Sequence, residues 1–327
     1  MKYFIIGLSF MFSVVIFSAC ERDDNYEVKV NVDKISLNDS IRIQKIQFYN
    51  ENTGIICGGT KNTNGSIYIT NDGGSTWTKT FHSDTLSVNS FFYLNDSVVF
   101  ACGDSLMLLK SNNHGHDWSI IELENYPLLD DYVPYNDVYA NSEENIFLVG
   151  GEYFDKGLWS KTETGNNSWT HYAYDNEFAS VCFVTEYVGF FGGYGRIMVT
   201  EDGGNTFDFI DFEDDFFVDI ETDGDGNVYA VSDIGILYYS SDLGYNWSRL
   251  IDDYHAKFTD LFLGKEVSAV CGLDGLVYLR NSKNGNWSKT KDTPKRNYYS
   301  VCISYRNEIF LGSEKGEIYV LNKKRTI

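Results

Sequence analysis

The sequence is poor in proline and in basic residues. Only 3 of the 327 residues are Pro, which excludes collagen-like and Pro-rich chains. The chain also lacks the long runs of strong helix formers that a helical bundle needs. Lys and Arg total 26 against 47 Asp and Glu, for a net charge of −21. Binding to nucleic-acid phosphates or to anionic lipid requires the opposite sign, so neither is expected as a partner.

Aromatic residues and glycine are abundant. Phe, Trp and Tyr make up 16% of the chain, Gly contributes 29 residues, and 43% of all residues are hydrophobic. Aromatic residues favour strands, and glycine favours tight turns. The apolar fraction is high enough to form a sizeable core, which argues against disorder. The composition therefore favours a β-rich protein with many turns.

The N-terminus carries the one long hydrophobic run of the sequence. Lys2 precedes an almost unbroken apolar stretch over residues 3–17, and the chain turns acidic over residues 21–24. The stretch is too short to cross a bilayer comfortably, so we interpret residues 1–19 as a secretory signal peptide. No later segment is long and apolar enough to span, so the exported part is expected to be tethered rather than integral.

Ser18 and Ala19, directly before Cys20, resemble the lipobox of bacterial lipoproteins. The resemblance implies cleavage before Cys20 and lipidation of that residue. It also implies an exported protein that is anchored in the cell envelope, at the outer membrane or the cell surface. The alternative is an ordinary signal peptide in which Cys20 occurs by chance.

An eight-residue pattern recurs at intervals of about 40 residues, which is the period of propeller blades. It has the form Ser/Thr-x-Asp-x-Gly-x-Thr-Trp, and we call each copy a repeat turn. The copies are Thr70–Trp77, Ser111–Trp118, Thr200–Phe207 and Ser240–Trp247, with degraded copies at Thr162–Trp169 and Arg280–Trp287. The pattern accounts for every Trp except Trp159.

The third position of the repeat turn is predicted to be structural. A carboxylate or amide oxygen there can accept hydrogen bonds from turn amides, and the Gly two residues later permits a positive φ. The Trp can then begin the next strand and pack under the turn. The residues at this position are Asp72, Asn113, Asp202 and Asp242.

The segments before each repeat turn contain three short strand patterns, so each unit is predicted to have four strands. Four strands per unit of about 40 residues indicate an all-β fold, a β-propeller. A seventh unit over residues 298–321 lacks its fourth strand, and the alternating segment 26–32 can supply it and close the ring. We predict a signal peptide over 1–19, a tether and closing strand over 20–32, and a seven-bladed propeller over 33–327. Six blades plus a C-terminal hairpin is the alternative.

The repeat turns resemble the Asp-box, or BNR repeat. The layout over residues 192–206 further resembles the seven-bladed propellers related to photosystem II assembly and stability factors. That resemblance implies the fold and a non-enzymatic binding role. It does not carry over a photosynthetic role, because those relatives bind with an Arg patch and this chain is acidic. Sialidases share only the Asp-box. Their Arg-Ile-Pro signature is missing, and the nearest string is Arg42-Ile43-Gln44.

Neither a metal nor a cofactor is expected. Five cysteines remain after Cys20, an odd number without a CxxC motif, and we interpret them as buried small hydrophobes. The segment 223–227 resembles part of a calcium loop, but Ile234 stands where the bidentate Glu is required. We therefore favour a hairpin turn there over a calcium site.

The ligand is expected on the propeller face opposite the repeat turns. Two insertions in the third unit and several connections place aromatic residues and arginines there, a composition that suits a sugar or a protein partner. The predicted contact residues are Tyr126, Tyr132, Tyr135, Tyr153, Phe154, Tyr194, Arg196, Tyr254, Arg296 and Tyr298. The favoured function is a non-enzymatic lipoprotein that binds a protein or a glycan. The alternatives are a glycoside-hydrolase-like enzyme with a carboxylate pair on the same face, and an envelope assembly scaffold.

Overall fold

The computed structural model describes residues 30–123, 133–162, 168–281 and 285–323. Across these ranges the chain is all-β, and no helix there has the length and apolarity to cross a membrane. The strands are β1 (Val30–Ser36), β2 (Arg42–Phe48), β3 (Gly54–Thr60), β4 (Asn64–Thr70), β5 (Thr78–Ser83), β6 (Val88–Tyr93), β7 (Val99–Gly103), β8 (Leu108–Ser111), β9 (Ser119–Ile120), β10 (Tyr135–Ser142), β11 (Asn145–Glu152), β12 (Lys156–Thr162), β13 (Trp169–Tyr174), β14 (Phe178–Phe183), β15 (Gly189–Thr200), β16 (Asp208–Thr222), β17 (Val228–Ser232), β18 (Ile236–Ser240), β19 (Ser248–Asp252), β20 (Phe258–Phe262), β21 (Val267–Gly272), β22 (Val277–Asn281), β23 (Trp287–Lys289), β24 (Tyr298–Ile303), β25 (Ile309–Ser313) and β26 (Glu317–Lys323).

The strands form six antiparallel sheets, five of them four-stranded. Sheet 1 is β2–β5, sheet 2 is β6–β9, sheet 3 is β10–β13, sheet 4 is β14–β19, sheet 5 is β20–β23, and sheet 6 has the order β1-β26-β25-β24. Consecutive strands are neighbours everywhere except at β1, as expected when each unit is a meander. The prediction of an all-β protein made of four-stranded antiparallel units is confirmed, and the architecture is consistent with a β-propeller.

Sheet 4 has six strands because two units share the long strand β16. The first part of β16 pairs with β15, where Arg196 lies opposite Asp211. Its last part pairs with β17, where Asp219 lies opposite Val231. The strand thus serves as the fourth strand of one unit and the first strand of the next. The segment 223–227 connects β16 to β17, which is the hairpin turn favoured from the sequence.

Sheet 6 combines the two ends of the described chain. The strand β1 pairs antiparallel with β26 from Val30, opposite Lys323, to Ser36, opposite Glu317. The predicted strand was 26–32, so β1 ends later than expected, and residues 26–29 lie outside the described part of the chain. The ladder pairs the outer edge of β26, which would otherwise be an exposed sheet edge.

The repeat turns are held by side chain to backbone hydrogen bonds. Asp72 Oδ1 accepts from the Thr76 amide at 2.9 Å, and Asp72 Oδ2 accepts from the Thr76 hydroxyl at 2.6 Å. The same acceptance from the amide four residues later recurs at Asn113, Asp202 and Asp242. These contacts hold the pKa of Asp202 down at about 2, first through the hydroxyl and amide of Thr206. Each carboxylate or amide thus stabilises its own hairpin.

Glycine in the repeat turn also allows a neighbouring sheet to approach. Gly74 has a φ of 91°, and a Cβ there would lie 2.7 Å from a ring carbon of Phe310 in sheet 6. A Cβ on Gly115, in the repeat turn of sheet 2, would likewise collide with the Ile55 side chain in sheet 1. A side chain at either position would separate two sheets, so glycine is required for packing as well as for φ.

The apolar core lies between the sheets. Each apolar cluster joins one unit to the next, as the buried residues of β7 and β11 do between sheets 2 and 3. Between sheets 1 and 6, Phe48 packs on Phe310 with ring centroids 4.8 Å apart, and Ile43 and Ile318 belong to the same cluster. Sheet-on-sheet burial of this kind stabilises a long chain without one large core.

Cys57, Cys102, Cys182, Cys271 and Cys302 are all buried and unpaired. Burial raises the pKa of Cys57 to about 12 and that of the Cys182 thiol well above its ordinary value. A thiol held in the protonated form is a weak nucleophile. The cysteines therefore pack as small hydrophobes, as the sequence indicated.

The two ends of the sheets differ. At one end, which we call the turn end, the described repeat turns lie beside the connections between the first two strands of their units. There the Gly73 amide donates to the Asn52 carbonyl at 2.8 Å. At the other end, the loop end, the connections between second and third strands meet the connections between units. There the Leu273 amide donates to the Lys257 carbonyl at 2.9 Å. Val30 begins β1 at the turn end.

Candidate functional site

A belt of polar side chains lies on the first strands of the units. Each of these strands has a bulge at the same place, and the residue after the bulge is polar or charged. The polar belt consists of Lys45, Ser90, Asp137, Ser180, Asp219, Asp260 and Ser300. A bulge re-aims a side chain, which explains how a polar residue stands beside buried apolar ones.

The polar belt hydrogen-bonds each unit to the next. Lys45 Nζ donates to Ser90 Oγ at 3.1 Å, and Ser90 Oγ donates to Asp137 Oδ1 at 2.6 Å. Further on, the belt oxygens accept from backbone amides of the following unit. These amides belong to Val181, Ile220, Leu261, Val301 and Ile46, which donate to Asp137, Ser180, Asp219, Asp260 and Ser300 respectively. The last of these bonds runs from sheet 1 back to sheet 6.

Asp137 is the most connected member of the polar belt. It is 7% exposed, and its carboxylate accepts from Ser90, from the Val181 amide at 3.0 Å and from Ser180 at 3.2 Å. Lys45 Nζ lies 3.6 Å from Asp137 Oδ1. Burial lowers the pKa of Lys45, but the surrounding carboxylates, Asp137 foremost, raise it above its ordinary value. Lys45 therefore stays charged in the space that the polar belt faces, which we call the channel.

One hydroxyl stands between two carboxylates. Ser180 Oγ lies 3.2 Å from Asp137 Oδ2 and 2.9 Å from Asp219 Oδ1, and it also accepts from the Ile220 amide. A serine has a single proton, so it can donate to only one carboxylate at a time. Burial raises the pKa of Asp219, as does the charge of Asp137. A proton on Asp219 lets it donate to Ser180 while Ser180 donates to Asp137.

Glu221 follows Asp219 on the same face of β16 and is half-buried. Burial, and then the neighbouring charge of Asp219, raise the pKa of Glu221 to about 8. The same two causes raise the pKa of Asp260 well above its ordinary value. The channel thus brings together four carboxyl groups and one lysine. Glu221, with a pKa of about 8, is mostly protonated at neutral pH.

We expect Glu221→Gln to stabilise the protein at alkaline pH. The folded-state pKa of about 8 exceeds the ordinary 4.5, so the folded chain binds the extra proton. The free energy of unfolding should therefore fall as pH rises from about 4.5 to about 8, and Gln should remove that fall. After discounting for solvent in the channel, the gain at pH 8 is about 1–3 kcal/mol. Urea unfolding at pH 5 and pH 8 measures it, and equal pH dependence in both proteins would contradict it.

Two cavities meet at the polar belt. The turn-end cavity has a volume of ≈ 750 Å³ and the loop-end cavity ≈ 520 Å³. Both are lined by Lys45, Asp137, Ser180, Asp219, Glu221 and Asp260. The larger one opens at the turn end, whereas the sequence predicts ligand binding at the loop end.

An aromatic cluster stands at the rim of the loop-end cavity. Tyr153 lines the cavity and is 72% exposed, and its neighbour Phe154 is 48% exposed. Phe154 packs on Tyr194 and Phe216, with ring centroids 5.1 and 5.3 Å away. Lys61 Nζ lies 5.6 Å from the Tyr153 ring centroid. Three of the predicted contact residues, Tyr153, Phe154 and Tyr194, are therefore brought together.

Tyr153 and Phe154 are held in the left-handed region. Their φ values are 61° and 67°, which for bulky side chains costs roughly 1–2 kcal/mol each. The carboxylate of Glu177 accepts from the Phe154 amide at 2.9 Å, and the Glu177 amide donates to the Phe154 carbonyl at 3.1 Å. Burial raises the pKa of Glu177. Asn and Gly adopt positive φ at little cost, so large exposed aromatic residues at these two positions indicate a role other than stability.

Arg196, Tyr254 and Arg296, which belong to the same predicted set, make their contacts with other side chains. The Arg196 guanidinium stands 5.3 Å from the Phe209 ring and 3.3 Å from Asp211. Two further contacts are internal to other connections: Tyr254 accepts from Arg249 at 2.9 Å, and Arg296 donates to Tyr319 at 3.1 Å. None of Arg196, Tyr254 and Arg296 lines either cavity.

Two of the predicted contact residues require correction. Tyr135 and Tyr298 are 0% exposed, and their hydroxyls bond to Ser160 at 2.7 Å and to the Pro294 carbonyl at 2.9 Å. Both stand one position before the bulge of a first strand, where Phe178 and its equivalents in other units also point into the core. Tyr126 and Tyr132, like the lipidation residue Cys20, lie outside the described residues.

Sequence reasoning missed the polar belt, although a signal was present. In each unit a polar residue directly precedes an apolar one in the first strand, as in Asp137-Val138, Asp219-Ile220 and Asp260-Leu261. Aligning the units on their repeat turns brings these pairs into register.

Among the described residues, no group of three or more His, Cys, Asp or Glu side chains could hold a metal ion.

The comparisons with known proteins identify the fold. No sequence-family model matches the chain, and no curated protein matches it. The solved structure of YCF48 bound to D1 peptide superposes with a TM-score of 0.69 at 17% identity, covering 90% of this chain and 98% of that one. The WD40 propeller domain of Doa1 gives 0.69 at 10%, covering 91% and 98%. Streptogramin B lyase gives 0.69 at 12%, covering 90% and 98%. The chain is thus similar in fold to β-propellers.

Proposed function

We propose that the chain is a seven-bladed β-propeller of the Asp-box type that recognises a peptide segment of a protein partner at its loop-end cavity. Sheet 4 counts as two blades because β16 is shared, and the remaining five sheets are one blade each. The observation that carries the binding role is the exposed pair Tyr153 and Phe154, kept at the cavity rim in a costly backbone conformation.

Several contacts support a closed ring. The Ile46 amide donates to Ser300 at 2.9 Å, and Phe48 packs on Phe310, so sheet 1 contacts sheet 6 as well as sheet 2. The ladder between β1 and β26 fits an N-terminal strand that completes the last blade. These contacts favour seven blades over six blades with a separate hairpin.

Peptide binding is favoured by the rim chemistry. Exposed Tyr and Phe supply contact area at a low entropic cost, and they are enriched at protein interfaces. Lys61 and the Glu152 with which it pairs add charged groups beside Tyr153. YCF48, a propeller of the same fold, has been solved with a bound peptide, which gives a precedent for the fold and no residue correspondence.

We expect Tyr153→Asn with Phe154→Gly to increase stability and abolish binding. The pair Asn-Gly accepts positive φ at both positions, but the packing of Phe154 on Tyr194 and Phe216 is lost. The net free energy of unfolding should therefore rise by about 1–2 kcal/mol. Peptides selected from a random library on the wild-type protein should no longer bind the variant. Urea unfolding and fluorescence titration measure the two effects.

Leu243→Gly is the matched control for that variant. Leu243 is an exposed residue at positive φ, 57°, but it lies in a repeat turn at the opposite end of the sheets. Glycine there should relieve the same strain and leave peptide binding unchanged. Loss of binding in this control, or retained binding in the double variant, would contradict the proposed site.

Glycan processing is the second candidate function. Glu152 and Glu177 both line the loop-end cavity, and a raised pKa like that of Glu177 suits a general acid. Both carboxylates are engaged, however, Glu152 with Lys61 and Glu177 with the Phe154 amide. Streptogramin B lyase, which is similar in fold, gives a precedent for an enzyme on this architecture. Hydrolysis of an arrayed glycan that is lost in Glu177→Gln would establish the enzyme instead.

We propose further that Cys20 is lipidated and that the protein is anchored in the bacterial envelope. Because β1 begins at the turn end, residues 21–29 would attach that end to the membrane through a tether of at most about 30 Å. The loop-end cavity would then face away from the bilayer. Labelled palmitate should be incorporated into the wild-type protein and not into Cys20→Ser. Equal labelling of both proteins would contradict the anchor.

A further inference from the structure

The turn-end cavity is a second concave site, which the proposed peptide recognition does not use. It is bounded by the last residues of the first strands and by the connections after β20 and β24. Its inner layer stands two positions after the polar belt, on the same side of each strand. The members that line the cavity are Gln47, Phe92, Tyr139, Cys182, Glu221 and Phe262.

Aromatic rings form a large part of this layer. Phe92, Tyr139 and Phe262 are half-buried, and the centroids of the first two lie 4.7 Å apart. Tyr139 also stacks on Phe183 at 4.9 Å. Burial raises the pKa of Tyr139 to about 12, so it stays neutral at physiological pH. Aromatic rings that line a cavity can attract a cation through their quadrupoles.

Glu221 is the single carboxylate of the layer. Among the described residues no donor hydrogen-bonds to it, whereas Asp137, Asp219 and Asp260 each accept a backbone amide. The one lysine deep in the channel, Lys45, is already engaged by Ser90 and Asp137. When Glu221 is ionised, a cationic ligand would supply the partner that its carboxylate lacks.

We propose that the turn-end cavity binds an organic ammonium group, which the rings of Phe92, Tyr139 and Phe262 surround and which Glu221 neutralises. The group belongs to a small amine or quaternary ammonium compound. An anion is disfavoured because the lining carries five carboxylates, on Asp137, Asp219, Glu221, Asp260 and Glu266, against Lys45 and Lys265. A metal ion is disfavoured because the described residues offer no cluster of ligating side chains.

Choline and its neutral isostere 3,3-dimethylbutan-1-ol provide the test. The two have nearly the same shape and differ by the charge, so calorimetric titration of the purified protein isolates the charge. We expect choline to bind at least tenfold more tightly than the isostere at pH 9, as expected for a desolvated cation–π site with a carboxylate. Comparable binding of the two, or no choline binding, would overturn the proposal.

Variants assign the effect to the cavity layer. Glu221→Gln should weaken choline binding about tenfold at pH 9, and Phe262→Leu should weaken it severalfold. Glu266→Gln, which removes an exposed carboxylate from the rim, is the matched control and should change little. Unchanged affinity in Glu221→Gln would overturn the proposal. The Tyr153→Asn, Phe154→Gly protein should bind choline normally, which separates this site from the peptide site.

The pH dependence is a further readout. Glu221 interacts electrostatically with Asp219 on its own strand. On the first strands of other units it interacts with Lys45, Asp137, Asp260 and the thiols of Cys182 and Cys302. Choline keeps its charge at every pH, so a change in affinity reports the protein. Affinity should rise about tenfold between pH 6 and pH 9 as Glu221 ionises, and this rise should be absent in Glu221→Gln. A flat profile in the wild-type protein would count against Glu221 as the counter-ion.

Discussion

Removal of β1 is expected to abolish the cooperative unfolding of the protein. In a chain that begins at Leu37, the outer edge of β26 loses its ladder partner. Val30, which is 3% exposed, and Ile35, which packs on the cluster between sheets 6 and 1, lose their burial. Together with the lost ladder this amounts to on the order of 3–5 kcal/mol, a large share of typical domain stability. The open edge should also promote aggregation.

Urea unfolding followed by Trp fluorescence measures this effect. A synthetic peptide of residues 26–38 added in trans should restore the transition, whereas a scrambled peptide should not. Lys34→Ala is the mild control, because it removes an exposed ion pair with Glu317 and should cost less than about 1 kcal/mol. A shortened chain with the wild-type midpoint would show that β1 does not complete the last sheet.

Asp137→Ala is expected to be the most destabilising single substitution in the channel. It removes the acceptor of Ser90, Ser180 and the Val181 amide, and it leaves Lys45, whose side chain is 29% exposed, without its ionic partner. Breaking one side of a fully buried pair costs about 3–5 kcal/mol, so we expect about 2–4 kcal/mol for this partly exposed pair. The midpoint of thermal and of urea unfolding should both fall accordingly.

Two comparisons identify the cause of that loss. Adding Lys45→Met to Asp137→Ala should recover part of the stability, because the unpaired cation is then gone. Asp252→Ala breaks a surface pair with Arg249, 3.1 Å long, and should cost less than about 1 kcal/mol. A loss in Asp137→Ala no larger than in Asp252→Ala would mean that the polar belt does not hold the units together.

The fold could be predicted from the sequence because its signal is local and repeated. The turn around Asp72 and that around Asp202 use the same hydrogen bonds, so residues four apart fix each hairpin. The pairing of β1 with β26 joins opposite ends of the chain. It could be predicted only because the last unit lacks its fourth strand in the sequence. Its bounds were misplaced because the alternation in the sequence does not mark where the ladder ends.

The site was less predictable because it depends on a single-residue bulge. Tyr135 and Asp137 are two positions apart, and an unbroken strand would point both to the same side. The bulge between them sends Tyr135 into the core and Asp137 into the channel. The cluster of Phe154 with Tyr194 and Phe216 brings together residues from β15, from β16 and from the connection between β11 and β12. Only the folded sheets show that these three aromatic residues meet.

Hydrogen exchange on a complex with a peptide selected by the wild-type protein tests the central claim most directly. If the partner binds at the loop end, the amides of residues 150–156, 176–178 and 194–196 should be protected on binding. The repeat turns at 72–76, 202–206 and 242–246 should exchange as they do in the free protein. Protection confined to the repeat turns, or protection unchanged by the Tyr153→Asn, Phe154→Gly variant, would contradict the account.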